Sequence, residues 1–405
     1  MTLNNLPSGW DRDIFSNVID INRKYFIKRG TPAKYVEMKS LLGHQRNIFY
    51  SETRNFSSGT KFKQGDTLFA KMKSCLENGK TAYCSILQEE EIGWGSTEFL
   101  IFSSIPSKTD NKYIYYLSKY ETIIKHAVAN ANGTDRQRVP ISAFDNLILN
   151  LPPLQEQKRI GEILGTLDDK IEINKQINNN LESIAQIIFK NWFVHFKPFK
   201  QDGTKKTNLG SIPQTWGIEK ISEISKVITG KTPPTKVKLN YGDKYKFIKI
   251  PDMHNNLYIT KTKQSLSEEG NEYQPKQLIP ANSLCVSCIA TVGLVSIISE
   301  ASHTNQQINS IICKENLLFY LYFFFKSHSE TLKQLGSGGT ATLNVNKSMF
   351  ENIKIIMPPP KVLDSYTEEV KPLFQKIKNN YLEIDALNNL RDSLLPKLMS
   401  GDIRV

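Results

Sequence analysis

The chain is short of most of the residues that would mark it as an enzyme, a secreted protein or a membrane protein. No apolar run reaches the length of a membrane span; the longest, LLFYLYFFFK at residues 317–326, is half that and reads as a buried helix. The N-terminus has no basic-then-apolar leader pattern, and five cysteines show no framework spacing, so a reducing, cytoplasmic setting is expected. Six histidines show no ligand spacing, and Cys285-Val286-Ser287-Cys288 has no second pair, so no metal site is expected. Gly230-Lys231-Thr232 resembles the end of a phosphate-binding loop, but Ser225 stands where its first glycine belongs and Pro233-Pro234 would break the helix that must follow. Asn150-Leu151-Pro152-Pro153 is a helix start rather than a methyltransferase motif, because Leu151 separates Asn from the prolines and Leu154 stands where an aromatic is needed. No catalytic constellation survives. Arginine, too, is missing from the whole of residues 197–360.

What is present is a repeat. Residues 131–153, ANGTDRQRVPISAFDNLILNLPP, align without a gap on residues 337–359, SGGTATLNVNKSMFENIKIIMPP. Gly133/Gly339, Thr134/Thr340, Phe144/Phe350 and both Pro-Pro pairs match, and the same offset of 206 brings Pro7 and Trp10 onto Pro213 and Trp216. Two copies of one unit imply a pseudo-two-fold arrangement, suited to a partner or ligand that is itself two-fold.

The net charge of +12 is unevenly spread. Residues 1–152 carry +5, 153–196 carry −1, 197–360 carry +8 and 361–405 are neutral. Two basic bodies joined by neutral segments point to a polyanion touched at two places. Each body is expected to be α+β. TKFKQGDTLFAKM (60–72) reads as a strand pair around a Gly-Asp turn, KQLIPANSLCVSCIATVGLVSII (276–298) as its strand-rich counterpart, and a shorter helical stretch follows each.

After each Pro-Pro the chain reads as one long helix. From residue 154 about 40 residues pass without a proline, roughly 60 Å of helix. A 3.5-residue register places Ile160, Leu164, Leu167, Ile171, Asn174, Asn178, Leu181, Ala185, Ile188 and Trp192 on one seam. The second seam runs through Leu363, Tyr366, Val370, Leu373, Ile377, Asn380, Ile384, Leu387, Arg391, Leu394 and Leu398. The simplest partner for each helix is the other, antiparallel, with the Asn residues fixing register.

LPPLQEQKRIGEILGTLDDKIEINKQINNNLESIAQIIFKNWFVHFKP resembles the central region of the specificity subunits of type I restriction-modification enzymes, and LRDSLLPKLMSGDIRV resembles their C-terminus. KFKQGDTLFAKMKSCLENGKTAYC and GWGSTEF are similar to one class of their target recognition domains; ITGKTPPT, IATVG and TNQQINSI are similar to another. The resemblance implies target recognition domains at residues 1–152 and 197–357 and conserved spacer helices at 153–196 and 358–405. It implies a non-catalytic subunit that reads a bipartite double-stranded DNA target with a non-specific gap. It also implies two methyltransferase subunits and motor-nuclease subunits as partners, with S-adenosylmethionine, ATP and Mg held on those partners and none on this chain. Two alternatives remain open: the specificity subunit of a methylation-only complex, and a coiled-coil adaptor whose basic bodies bind nucleic acid.

Candidate DNA contacts lie in loops rich in Gly, amide, hydroxyl and basic residues. In the first body they are Arg46, Lys71, Lys73, Asn132, Thr134, Arg136, Gln137 and Arg138; in the second, Lys231, Thr232, Lys236, Asn305, Gln306, Gln307, Ser337, Thr340, Thr342 and Asn344. Arg pairs bidentately with guanine and Asn or Gln with adenine, whereas a phosphate clamp positions without specifying. The second body, lacking arginine, is expected to lean towards A·T pairs.

Overall fold

The computed structural model describes residues 6–337 and 343–405. The chain divides into two compact units: Met1–Ile171 with Leu387–Val405, and Glu172–Ala386. The boundary cuts through both long helices, so each unit contains one α+β body and the helical segments packed on it.

In the first unit the strand Asp11–Ile14 pairs antiparallel with Ile148–Leu151, Asp11 opposite Leu151 and Ile14 opposite Ile148. The chain therefore enters and leaves the body at one place. Between these strands lies a four-stranded antiparallel sheet in the order Ile19–Ile21, Phe99–Ser104, Thr67–Ala70, Thr81–Tyr83. A second sheet runs Glu52–Asn55, Pro32–Val36, Ile92–Gly95, Thr60–Lys63. The segment 60–72 is thus not a hairpin. Thr60–Lys63 pairs with Ile92–Gly95 and Thr67–Ala70 with Phe99–Ser104, because the turn at Gly65, φ +88°, hands the chain from one sheet to the other.

The second unit repeats the plan. Gly217–Lys220 pairs with Lys354–Met357 in the register of the first strand pair, each strand displaced by 206 residues. Its main sheet runs Ser225–Thr229, Ile308–Cys313, Leu284–Ser287, Val295–Ile298, Tyr258–Ile259. The repeated aromatics Trp10 and Trp216, and Phe144 and Phe350, are buried. The apolar stretch is a helix, Glu315–Ser327, with every residue from Leu317 to Phe325 buried. A helix apolar on all sides can only be a core helix here.

The long helices are Leu154–Phe193 and Pro360–Ser400. In the first unit Asp168 of one meets Arg391 of the other at 2.6 Å. In the second, Asn380 donates to Asn178 at 2.8 Å and Asn174 to Glu383 at 3.0 Å. In the second unit residue numbers rise on one helix as their partners' numbers fall on the other; in the first, Glu156 pairs with Arg404, just past the other helix, as Asp168 does with Arg391, so in each unit the segments run antiparallel. Ile160, Ile171, Asn178, Val370, Ile377, Asn380 and Ile384 are buried as the seam requires. Leu167, Leu181, Ile188 and Leu394 are only half-buried. Past Ala185 the buried stripe passes to Phe189 and Phe193, one position beyond Ile188 and Trp192. A straight helix of 3.6 residues per turn drifts off a 3.5-residue register over this length.

Candidate nucleic-acid interface

In the first unit the loop between the helix Glu121–Ala129 and the closing strand forms a small hairpin of its own. Asn132 and Arg138 exchange two backbone hydrogen bonds of 2.8 Å, and Gly133, φ +116°, turns the chain between them. The tip, Thr134 to Arg136, is exposed, while Gln137 and Arg138 are half-buried. The hairpin is tied to the segment after Thr67–Ala70: Lys73 N–H donates to Gln137 O at 3.0 Å, and Val139 N–H to Lys71 O at 2.8 Å. The segment Lys71–Lys73 and the hairpin that carries Arg136 thereby form one rim, far apart as the two segments are in sequence.

Arg138 is committed elsewhere. Its Nε donates to both oxygens of Glu98 at 2.9 Å, its Nη2 pairs with the same carboxylate, and Nη1 reaches Arg136 O at 3.3 Å. Hydrogen bonding to Glu98 raises the guanidinium pKa further, so the charge is permanent but its fork is used. Arg138 stiffens the loop, which leaves Arg136 as the arginine presented at the tip. Glu98 could not be found from the sequence, since 40 residues separate it from Arg138 and nothing in the spacing links them.

Arg46 does not join this rim. Its Nη1 donates to Gly165 O at 3.1 Å and its Nη2 pairs with Asp169, both on the first long helix. Burial works against the charge, but the Asp169 carboxylate outweighs it and raises the pKa. The residue ties the body to the helix instead of offering a fork to DNA.

In the second unit most candidates lie on one connected strip. Lys231 N–H donates to Thr304 O at 2.9 Å, and Gly230 N–H to Ile308 O at 3.1 Å, which lays the Gly-Lys-Thr segment along Thr304–Gln307. No Cβ fits at Gly230: it would lie 2.2 Å from Asn305 O. Thr232 donates its hydroxyl to Gln306 Oε1, and Asn305, buried, donates to Gln307 Oε1 at 3.0 Å. Lys231 carries its ammonium 4.5 Å from the centre of the Tyr273 ring, a partner the sequence did not suggest. Lys236 is exposed in the same Pro-Pro loop, which is pinned by Tyr241 OH on Pro233 O at 2.9 Å.

Gln307 connects this strip to Asn344, since its carbonyl accepts from Cys288 N–H at 2.7 Å and the next residue, Ile289, bridges to Asn344. Ser337 uses its hydroxyl on Gln334 O at 2.6 Å, at the end of the helix Ser329–Gly336. Thr340 and Thr342 lie outside the described residues. Amides and hydroxyls dominate here, where the first unit presents lysine and arginine. Among the described residues no group of three or more His, Cys, Asp or Glu is placed to hold a metal ion, and no helix is long and apolar enough to cross a membrane.

Comparison with known proteins gives one consistent answer. The model of the type I restriction modification DNA specificity domain matches twice, at residues 12–183 and 213–383. The HindI specificity subunit of Haemophilus influenzae is 35% identical, over 84% of this chain and 87% of its own length. The MjaIX specificity subunit of Methanocaldococcus jannaschii is 30% identical over 73% of this chain and 69% of its own. The crystal structure of a type I restriction-modification S subunit from M. genitalium matches 98% of both chains, with a TM-score of 0.59 at 15% identity, and shares the fold.

Proposed function

The chain belongs to the family of type I restriction-modification DNA specificity subunits, and from that premise we propose that each of its two units reads one half of a bipartite target. The chain itself carries no chemistry in this reading. It assembles with the other subunits of its system: two methyltransferase subunits, which hold S-adenosylmethionine, and motor-nuclease subunits, which use ATP and Mg. The observation that carries the reading is the duplicated body. Each copy is closed by its own strand pair and gathers polar and basic loop residues on one rim or strip.

Because the paired strands close each body on itself, a body can be exchanged as a module. The test is methylation mapping of DNA exposed to the chain together with its methyltransferase subunits. A two-part motif with a fixed gap is expected. Replacing residues 11–151 by the corresponding segment of a relative should then change one half of that motif and leave the gap and the other half intact. No modified site, or a chimera altered in both halves, would overturn the proposal.

A further inference from the structure

The two units share a junction that the fixed repeat offset conceals. In the first, Lys71 N–H donates to Glu98 O at 2.8 Å, Val139 N–H donates to Lys71 O at 2.8 Å, Lys73 N–H donates to Gln137 O at 3.0 Å, and Met72 bridges to Arg138. In the second, Cys288 N–H donates to Gln307 O at 2.7 Å, Val345 N–H to Cys288 O at 2.9 Å, Ala290 N–H to Leu343 O at 3.1 Å, and Ile289 bridges to Asn344. Every link has a counterpart. The loop positions 137, 138 and 139 match 343, 344 and 345 at the repeat offset. Lys71 matches Cys288, however, and Glu98 matches Gln307, at two other offsets. Insertions between the strands have moved the numbering while the junction has stayed.

What leaves the junction differs. After Lys71-Met72 the first unit forms the short helix Lys73–Glu77. After Cys288-Ile289 the second turns back through Ala290, at φ +62°, and Gly293, at φ +93°, into the strand Val295–Ile298. A left-handed alanine is uncommon, and backbone strain of this kind collects at functional sites. The flanking side chains differ as well: Arg138 with Glu98 in one unit, Asn344 with Gln307 in the other. The third residue past the start of each junction segment is nevertheless an exposed hydroxyl, Ser74 and Thr291. A hydroxyl can donate to or accept from any base edge.

We infer that this junction is a common mount for the elements that read DNA, and that Lys73 with Ser74 in one unit and Ala290 with Thr291 in the other determine specificity, one pair for each half-site. The inference rests on the DNA-reading role proposed above and deepens it. A shared backbone mount with interchangeable protrusions lets each unit read a different sequence on the same scaffold. The mount adjoins the remaining candidate contacts in each unit: the Asn132–Arg138 hairpin in one, and Thr304–Gln307 with Asn344 in the other.

The test uses the full chain with its methyltransferase subunits and a library in which both half-sites are randomised. Ser74→Val should lower the preference at one position of one half-site at least tenfold, and Thr291→Val should do the same in the other half-site. Thr291→Ser, which keeps the hydroxyl, should preserve the wild-type motif. Thermal unfolding is recorded for each variant, and Lys73→Gln is the second probe should Ser74→Val unfold; Ala290→Gly serves likewise for Thr291→Val. Folded variants with both half-sites unchanged would overturn the assignment. So would weaker methylation that is uniform over all sequences, since that marks phosphate anchoring. A wild-type complex that methylates no two-part motif would instead refute the function on which the inference rests.

Discussion

Asn380 donates its side-chain amide to the Oδ1 of Asn178 at 2.8 Å, and neither residue is more than 6% exposed. Two amides facing each other in an apolar helix seam exchange stability for register, because sliding the helices would bury them against aliphatic groups. Replacing one partner is expected to cost more than replacing both. Asn380→Leu strands the Asn178 amide and should destabilise the helix pair by about 1–3 kcal/mol. The double variant Asn178→Leu/Asn380→Leu should be at least as stable as the wild type. Denaturant midpoints for the three variants decide; a double variant less stable than Asn380→Leu alone would refute this account.

In the first unit the equivalent device is ionic. Asp168 and Arg391, 5% and 7% exposed at their side chains, lie 2.6 Å apart, and Tyr116 OH donates to the second Asp168 oxygen at 2.7 Å. Arg391→Met should leave Asp168 buried without its ionic partner, at a cost of about 3–5 kcal/mol. Asp168→Asn combined with Arg391→Met should recover much of that loss. A double-mutant cycle measures the coupling, and additive single effects would show that the pair contributes nothing as a pair.

That ion pair also marks where linear reading stops. The Pro-Pro starts, the two helices and the duplicated loop were legible because each is written in adjacent residues or in a helical period. Arg391 sat on the expected seam with no visible reason. Its partner is on the other helix, and the positions that correspond by the repeat, Ala185 and Phe374, belong to an apolar core where Phe374 stacks on Phe319 at 4.2 Å. A repeat predicts shared backbone, and here the chemistry at shared positions differs. The strands of segment 60–72 pair elsewhere for a related reason, since alternation announces strands without naming their partners. In sequence Arg46 and Arg138 are alike as loop arginines; only the fold sets Asp169 beside the one and Glu98 beside the other. The candidate contact residues stand out by residue type, and only the fold groups them.

His303 should give the stability of the second unit a pH dependence. The ring is fully buried, with Nε2 3.0 Å from Asn271 Oδ1 and Nδ1 3.4 Å from the Gln274 side-chain nitrogen, an arrangement that suits the neutral imidazole. Burial pushes its pKa down to about 4. Between the ordinary value of 6.5 and 4, the unfolded chain takes up a proton that the folded chain refuses. Stability should therefore fall as pH drops through that window, by up to about 3 kcal/mol, and level off below it. His303→Gln should flatten the profile. Melting temperatures from pH 4 to 7 test this, and a variant with the wild-type slope would place the titration on another group.

The two loop arginines should fail in different ways. Arg136 is exposed at the tip, so Arg136→Ala should leave the fold intact, weaken DNA binding by about 1–3 kcal/mol and relax one position of one half-site. Arg138 holds the loop through Glu98, so Arg138→Ala should act by loosening the tip. Glu98→Ala should then reproduce its effect, although it removes a negative charge from the surface proposed to meet DNA. Pure electrostatics predicts the opposite for Glu98→Ala, namely tighter binding and a steeper salt dependence. Affinities measured at two salt concentrations separate the cases. If Glu98→Ala binds more tightly than wild type, or Arg138→Ala reduces the salt slope by about one, Arg138 contacts the DNA backbone directly and its role as a strut is refuted.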